Sequence, residues 1–313
     1  MKENPFLETS MQKKKNEKKW WQWVGTIASI LLFIWLLRKQ NWLMIFKITQ
    51  SVSWEILLGT FILFSLLQGL NALRWLVLLR AQRVTWSYWV TLKISLAGNF
   101  ASNFLPSTVG GDSLRIMAVL RTSKEASSVI STVILDRLLN IISIFFLLPI
   151  TWLTFREQLL TLLFNGAKTQ ELSLLAGFNN IAKKHLSSII NSTKELYQVW
   201  RAQNIAIFKG LGIALISNLL SMFTVWLLAI QMGISITYYQ AIAIATISYL
   251  ATLLPISMNG YGIRETIYTI LYMNVGSSME QATALAILSR FMVVLSTLPG
   301  AFFFSSIVIT HND

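Results

Sequence analysis

Apolar and polar positions along this chain separate into long blocks. Apolar runs of about 20 residues, enough to cross a bilayer, occupy 20–37, 54–79, 88–105, 127–155, 206–231, 238–254 and 282–309. They predict helices, because an unpaired backbone is too costly in hydrocarbon. The ten-residue alternation of a membrane barrel is missing. Trp20, Trp21, Trp23, Trp42, Trp54, Trp86 and Trp89 gather near the proposed span ends, where an aromatic ring sits well at the headgroup level.

Two of these runs end in similar breaks. The segments NFLPSTVGGDSLR (103–115) and TLLPISMNGYGIR (252–264) superpose at an offset of 149 residues. That offset places Leu105, Pro106, Gly111 and Arg115 on Leu254, Pro255, Gly260 and Arg264. Each copy interrupts an apolar run with Pro and Gly and sets one Arg just past the break. Paired interruptions in corresponding halves of a membrane protein point to a transport site. A weaker layer follows: ILDR (134–137) resembles ILSR (287–290) at an offset of 153.

Composition agrees with a lipid-embedded chain. Apolar residues make up 54% and charged residues 12%, and the mean hydropathy is +0.58; a soluble domain carries about 25% charged residues. The net charge of +13 is concentrated outside the apolar runs. It reads as topology and attraction to anionic lipid rather than nucleic-acid binding, because no basic folded domain is available to hold a duplex.

Lys13, Lys14, Lys15, Lys18 and Lys19 precede the first run, and Arg38 and Lys39, not a small-residue cleavage site, follow it. The run is expected to remain as a span, with the N-terminus in the cytoplasm of a bacterial-type cell membrane. Arg38, Lys39, Lys47, Arg121 and Lys124 weigh against that orientation. The expected organisation is a basic tail over 1–19 and one membrane domain over 20–309. Within the domain come a first repeat at about 88–155, an amphipathic region at 156–205 and a second repeat at about 238–309. Part of that middle region, 157–178, has an alternative as a segment dipping into the membrane. With seven spans the two breaks point in opposite directions, an inverted repeat suited to alternating access. One helix more or fewer between them makes the copies parallel.

The candidate chemistry is narrow. There are no cysteines and two histidines, which removes thiolate catalysis, thiolate zinc sites and multi-His metal sites. Walker A, GxSxG and GxGxxG patterns are missing too, so no cofactor or metal is expected. What remains is a set of arginines within apolar runs, each costing at least about 2.5–3.5 kcal/mol near the bilayer centre. A short helix is expected to start after each Gly cluster, near Ser113 and Ile263. Its free N–H groups and an Arg in its first turn suit phosphate. Arg115, Arg264, Gly110, Gly111, Gly260, Gly262 and Asp112 are therefore the candidate headgroup-binding residues, with Pro106 and Pro255 as the helix breaks. Asp136, Arg137, Glu265 and Arg290 form a candidate gating or structural charge network, with Glu265 one possible partner for Arg290. Arg74 and Lys93 lie near span ends, where a long basic side chain is expected to snorkel to the interface. Asn71 and Asn218 suit interhelical hydrogen bonding.

NFASNFLPSTVGGDSLR (99–115), LDR (135–137) and LPISMNGYGIRE (254–265), taken in that order, resemble the flippase-like family, that of the transmembrane region of lysylphosphatidylglycerol synthase. The likeness runs from about residue 20 to 305. It implies an all-α integral membrane protein of about seven transmembrane helices with two re-entrant or broken segments. It also implies movement of a phosphate-bearing lipid, a phosphatidylglycerol derivative or a polyprenyl-phosphate-linked lipid, between leaflets. Full-length synthases of that family add a large soluble acyltransferase domain, for which these 313 residues leave no room, so lysyl transfer is not expected of this chain. Two other readings remain open. One is a membrane-embedded enzyme of lipid modification using Asp136 or Glu265. The other is a non-catalytic partner of a separate synthase or glycosyltransferase. Membrane lipids are the expected ligands under all three, and the sequence does not fix an oligomeric state.

Overall fold

The computed structural model describes residues 42–104, 108–120, 126–165, 200–253 and 263–309. Pro106, Pro255, Gly260, Gly262, the basic tail, the first apolar run and most of the 156–205 region lie outside the described residues. Everything described is helix or short connection: α1 (Trp42–Gln50), α2 (Trp54–Ala81), α3 (Tyr88–Phe104), α4 (Thr108–Leu120), α5 (Ala126–Phe145), α6 (Leu148–Asn165), α7 (Asn204–Gln231), α8 (Tyr238–Thr252), α9 (Ile263–Asn274), α10 (Met279–Thr297) and α11 (Pro299–Ile309).

Four stretches are long and apolar enough to cross a membrane: Trp54–Ala81, Ile130–Arg156, Asn204–Gln231 and Met279–Phe304. The second joins α5 to α6 and the fourth joins α10 to α11. The 88–105 and 238–254 runs become α3 and α8, of 17 and 15 residues. At 1.5 Å per residue these reach only about 22–26 Å, short of a hydrocarbon core of roughly 30 Å. Both stop at the Pro-containing breaks.

Element order recurs along the chain. α2 and α7 are each 28 residues long and start 150 residues apart. Each is followed by a short helix (α3, α8), a second short helix (α4, α9) and a longer one (α5, α10). The two halves interlock: α2 packs on α7, α11 on α3, α6 on α8, α5 on α7 and α10 on α2. Apolar side chains of α2 such as Leu58, Ile62 and Leu66 stay exposed at four-residue spacing, forming a lipid-facing stripe. Phe64, Leu67, Trp75 and Leu78 are buried on the other side.

The ends of the two long helices show how closely the backbones correspond. Val84 N–H donates to Leu79 O at 3.0 Å, and Ile234 N–H donates to Ala229 O at 3.0 Å. Arg83 N–H bonds Arg80 O, and Gly233 N–H bonds Ile230 O. Both are Schellman-type stops, which need a left-handed residue at the turn. That residue is Arg83 in one case (φ 61°) and Gly233 in the other (φ 75°). A side chain in this conformation costs about 1–2 kcal/mol. Gly233→Ala should therefore lower the melting temperature in detergent by the equivalent of about 1 kcal/mol. Arg83→Ala, which already has a Cβ there, should leave it unchanged.

Candidate functional site

Apart from Lys93, the charged residues singled out in the sequence and described in the structure fall into two groups. The first group joins α2, α4 and α5. Arg74 on α2 donates from Nε to Asp136 Oδ1 at 2.6 Å, and from Nη1 to Asn140 Oδ1 at 3.2 Å. Arg115 on α4 donates from Nη1 to the other oxygen of Asp136 at 3.4 Å. All three charged residues are buried. The Arg115 guanidinium also stacks 5.0 Å above the ring of Trp75, whose Nε1–H donates to Thr132 Oγ1 at 3.2 Å. One carboxylate thus serves two guanidiniums, and the aromatic face takes up part of the surplus positive charge. Arg137, the neighbour of Asp136, points elsewhere and pairs with Asp112 on α4. Arg74, expected from its position to reach for the interface, instead closes this cluster. Its α2 site faces α5, so pairing with Asp136 replaces the water it would otherwise seek. Lys93 is exposed, with its Nζ 5.5 Å from the Phe303 ring centroid.

The first short helix begins earlier than expected. α4 starts at Thr108, so Gly110 and Gly111 lie within it and Arg115 lies beyond its first turn. Gly111 is used for close packing: a Cβ there would collide with Gly98 O and Ser102 Oγ on α3. α9 starts at Ile263, as expected, and Arg264 is its second residue.

The second group lines a cavity of about 360 Å³ bounded by α2, α5, α7, α8, α9 and α10. Ligand sites are typically 300–1,000 Å³. Arg264 on α9 and Arg290 on α10 form its cationic part. Gln68, Asn71, Asn140, Ser217, Asn218, Ser221, Ser248, Tyr249 and Tyr268 supply neutral polar groups, and Phe64, Leu67, Ile144, Met222 and Val225 are among the apolar ones. A smaller pocket shares Arg264, Tyr268 and Arg290 and adds Glu265 and Ser289. The structure therefore gathers Arg264, Glu265 and Arg290 around one space. It places Arg115, Asp112, Asp136 and Arg137 in the charge cluster of the other half, and these four are not among the cavity-lining residues.

Asn140 connects the two groups. It lines the cavity and accepts from Arg74, and its Oδ1 also accepts from Asn218 Nδ2 at 3.3 Å. Its own Nδ2 donates to Tyr249 OH at 2.8 Å. Asn218 also donates to Ser143 Oγ at 2.6 Å, so it does join helices, as its position in an apolar run suggested. From Gln68 the polar lining continues away from the cavity. Asn99 Nδ2 donates to Gln68 Oε1 at 2.8 Å, and Gln68 Nε2 donates to Ser296 Oγ at 3.1 Å. Asn103, beside the first break, donates to Thr297 Oγ1 at 3.0 Å. Sequence reasoning missed Gln68, Asn140, Ser217, Ser248 and Tyr249. Their only signal was a polar residue inside a long apolar run, which is costly in hydrocarbon unless satisfied or used.

Long lipid-facing helices, shorter ones between them and a cationic cavity define a multi-pass, all-helical membrane protein with an internal polar site. The chain belongs to the lysylphosphatidylglycerol synthase transmembrane-region family, whose model matches residues 22–300. A membrane function connected with lipid follows from that membership. No curated protein matches the chain.

Proposed function

We propose that this protein moves a phosphate-bearing lipid between leaflets, with the headgroup held in the cavity and the acyl chains left in the surrounding lipid. The observation that carries the reading is the position of Arg264. It stands in the first turn of α9, at the positive end of a 12-residue helix, and lines the same cavity as Arg290. A helix N-terminus and two guanidiniums around one space favour a phosphate. The paired breaks and the shared element order of the two halves support an inverted repeat that opens the cavity to each leaflet in turn. The cluster of Arg74, Asp136 and Arg115 holds the first half together while Asn140 ties it to the cavity.

The test is transport by the full chain in vesicles carrying acyl-labelled anionic phospholipid, read by quenching of the outer leaflet. Wild-type protein should equilibrate the label between leaflets. Loss of a charge-assisted hydrogen bond costs about 1.5–3 kcal/mol, so Arg264→Gln and Arg290→Gln should each slow transport about ten- to a hundredfold. Wild-type rates in the double variant would remove the basis of the proposal.

A further inference from the structure

The space around Arg264 and Arg290 also holds an acid. Glu265 follows Arg264 in the first turn of α9 and lines the smaller pocket with both arginines and Tyr268. Arg264 and Tyr268 are four residues apart and Glu265 and Tyr268 three, so the three share one side of the helix. α9 packs on α10, which brings in Arg290. The pocket shares Phe64, Arg264, Tyr268 and Arg290 with the larger cavity. A ligand held by the arginines therefore has this carboxylate as a neighbour. Glu265 is only 7% exposed, and a charge so little hydrated acts strongly on another beside it.

Two guanidiniums and one carboxylate line the pocket. An incoming anion is drawn by the arginines and repelled by ionised Glu265. A proton on Glu265 removes the repulsion and leaves both cationic charges to the ligand. A bound anion and a protonated Glu265 thus favour one another. Among the described residues, no other group facing Glu265 changes charge near neutral pH. α9 itself contributes Arg264 and Tyr268, α10 contributes Arg290, and α8 contributes Tyr249 across the cavity, while α2 and α7 give the pocket Phe64, Ser221 and Val225. Arginine stays protonated throughout, and tyrosine ordinarily titrates near ~10. The other acid of α10, Glu280, lies in that helix's first turn, about 15 Å along the axis from Arg290.

Resting on the proposed anion site at these arginines, we infer that Glu265 takes up one proton when an anion binds beside Arg264 and Arg290, so that anion and proton cross the membrane together. The proton comes from water and turns the carboxylate into the neutral acid. It leaves again when the anion does.

The probe is dihexanoyl phosphatidylmethanol, a phosphodiester whose own charge does not change between mildly acidic and mildly alkaline pH. It is titrated into the purified full chain by calorimetry across that range, in buffers of different ionisation enthalpy. Wild-type affinity should fall as pH rises, by up to about tenfold per unit, with about one proton taken up per anion. Glu265→Gln mimics the protonated acid. It should bind at every pH with the wild type's low-pH affinity and take up no proton. Glu265→Asp keeps an acid and should keep the slope. In vesicles under a pH gradient, wild-type protein should move acyl-labelled phosphatidylglycerol toward the leaflet on the alkaline side, beyond any shift in protein-free vesicles. Glu265→Gln should only equilibrate it.

Wild-type binding that ignores pH, or that takes up no proton, overturns the inference and leaves the anion site standing. So does a slope that survives in Glu265→Gln, which would put the proton elsewhere, and so does a label distribution that the gradient leaves unmoved. Loss of binding in both Glu265 variants would make the residue structural and also overturns the inference. If the wild type does not bind the probe at all, this inference and the transport proposal fall together. Dimethyl phosphate binding as tightly, with the same slope, would uphold the proton linkage and overturn a lipid as the ligand.

Discussion

Asp136→Asn is expected to destabilise this protein more than any other single charge removal among the described residues. The carboxylate accepts from Arg74 and Arg115 at once. Both ends of each pair are nearly inaccessible, with side-chain exposures of 7% and 5% for Arg74 and Asp136 and 8% for Arg115. Removing the charge leaves two buried guanidiniums sharing a neutral amide. Breaking a buried pair by deleting one partner costs about 3–5 kcal/mol, and here two cations lose their only shared acid. The measurement is thermal unfolding of the detergent-solubilised protein, followed by tryptophan fluorescence or size-exclusion recovery after heating. Asp112→Asn is the control. Its partner Arg137 is 51% exposed, so solvent or headgroups screen the loss, and an effect of about 1 kcal/mol or less is expected. Equal effects for the two variants would show that the shared carboxylate is not what holds α2, α4 and α5 together.

The second large effect concerns backbone contact rather than charge. At Gly300 on α11 an added Cβ would run into the Leu96 carbonyl of α3, and at Gly111 on α4 it would run into Gly98 O, also on α3. Ser102 Oγ also stands in the way at Gly111, but at both sites a backbone carbonyl is an obstacle, and it cannot rotate away as a side chain can. Such close approach is the usual way small residues hold membrane helices together. Gly300→Ala and Gly111→Ala should each cost at least the usual overpacking range of about 1–3 kcal/mol. Gly212→Ala provides the contrast, since nothing lies within 4 Å of a Cβ there and Ala is the better helix former by about 1 kcal/mol. A lowered melting temperature at Gly300 and Gly111 and a level or raised one at Gly212 is the expected pattern.

These two effects also mark where the sequence stopped being informative. Arg115 and Arg264 occupy matching places in two similar segments, and by pattern alone they have the same role. The fold gives them different surroundings. Arg115 meets Asp136 and Trp75, whereas the position matching Asp136 in the second half is Ser289, and Arg264 opens onto the cavity. Gly111 reads as a residue that lets backbone or a headgroup approach closely, and helix α3 is one neighbour that does so. The Pro-Gly break is visible in sequence because few residues tolerate it. The start of α4 at Thr108, before the glycines, is not, because packing on α3 pays the helix cost of Gly110 and Gly111.

By itself the sequence determined that the chain lives in lipid, that it is helical, that two of its apolar runs are interrupted by similar segments containing Pro and Gly and that an arginine follows each. These are consequences of composition, of the backbone's need for hydrogen bonds in hydrocarbon and of the geometry of Pro and Gly, all of which act locally. Only the tertiary structure decided which arginine is matched by an acid and which faces the cavity, and which serines and amides line it. Those outcomes depend on contacts between residues 21 positions apart, as in the Arg115–Asp136 pair, or 62 apart, as in the Arg74–Asp136 pair, and no local pattern encodes which partner on another helix a buried charge will find.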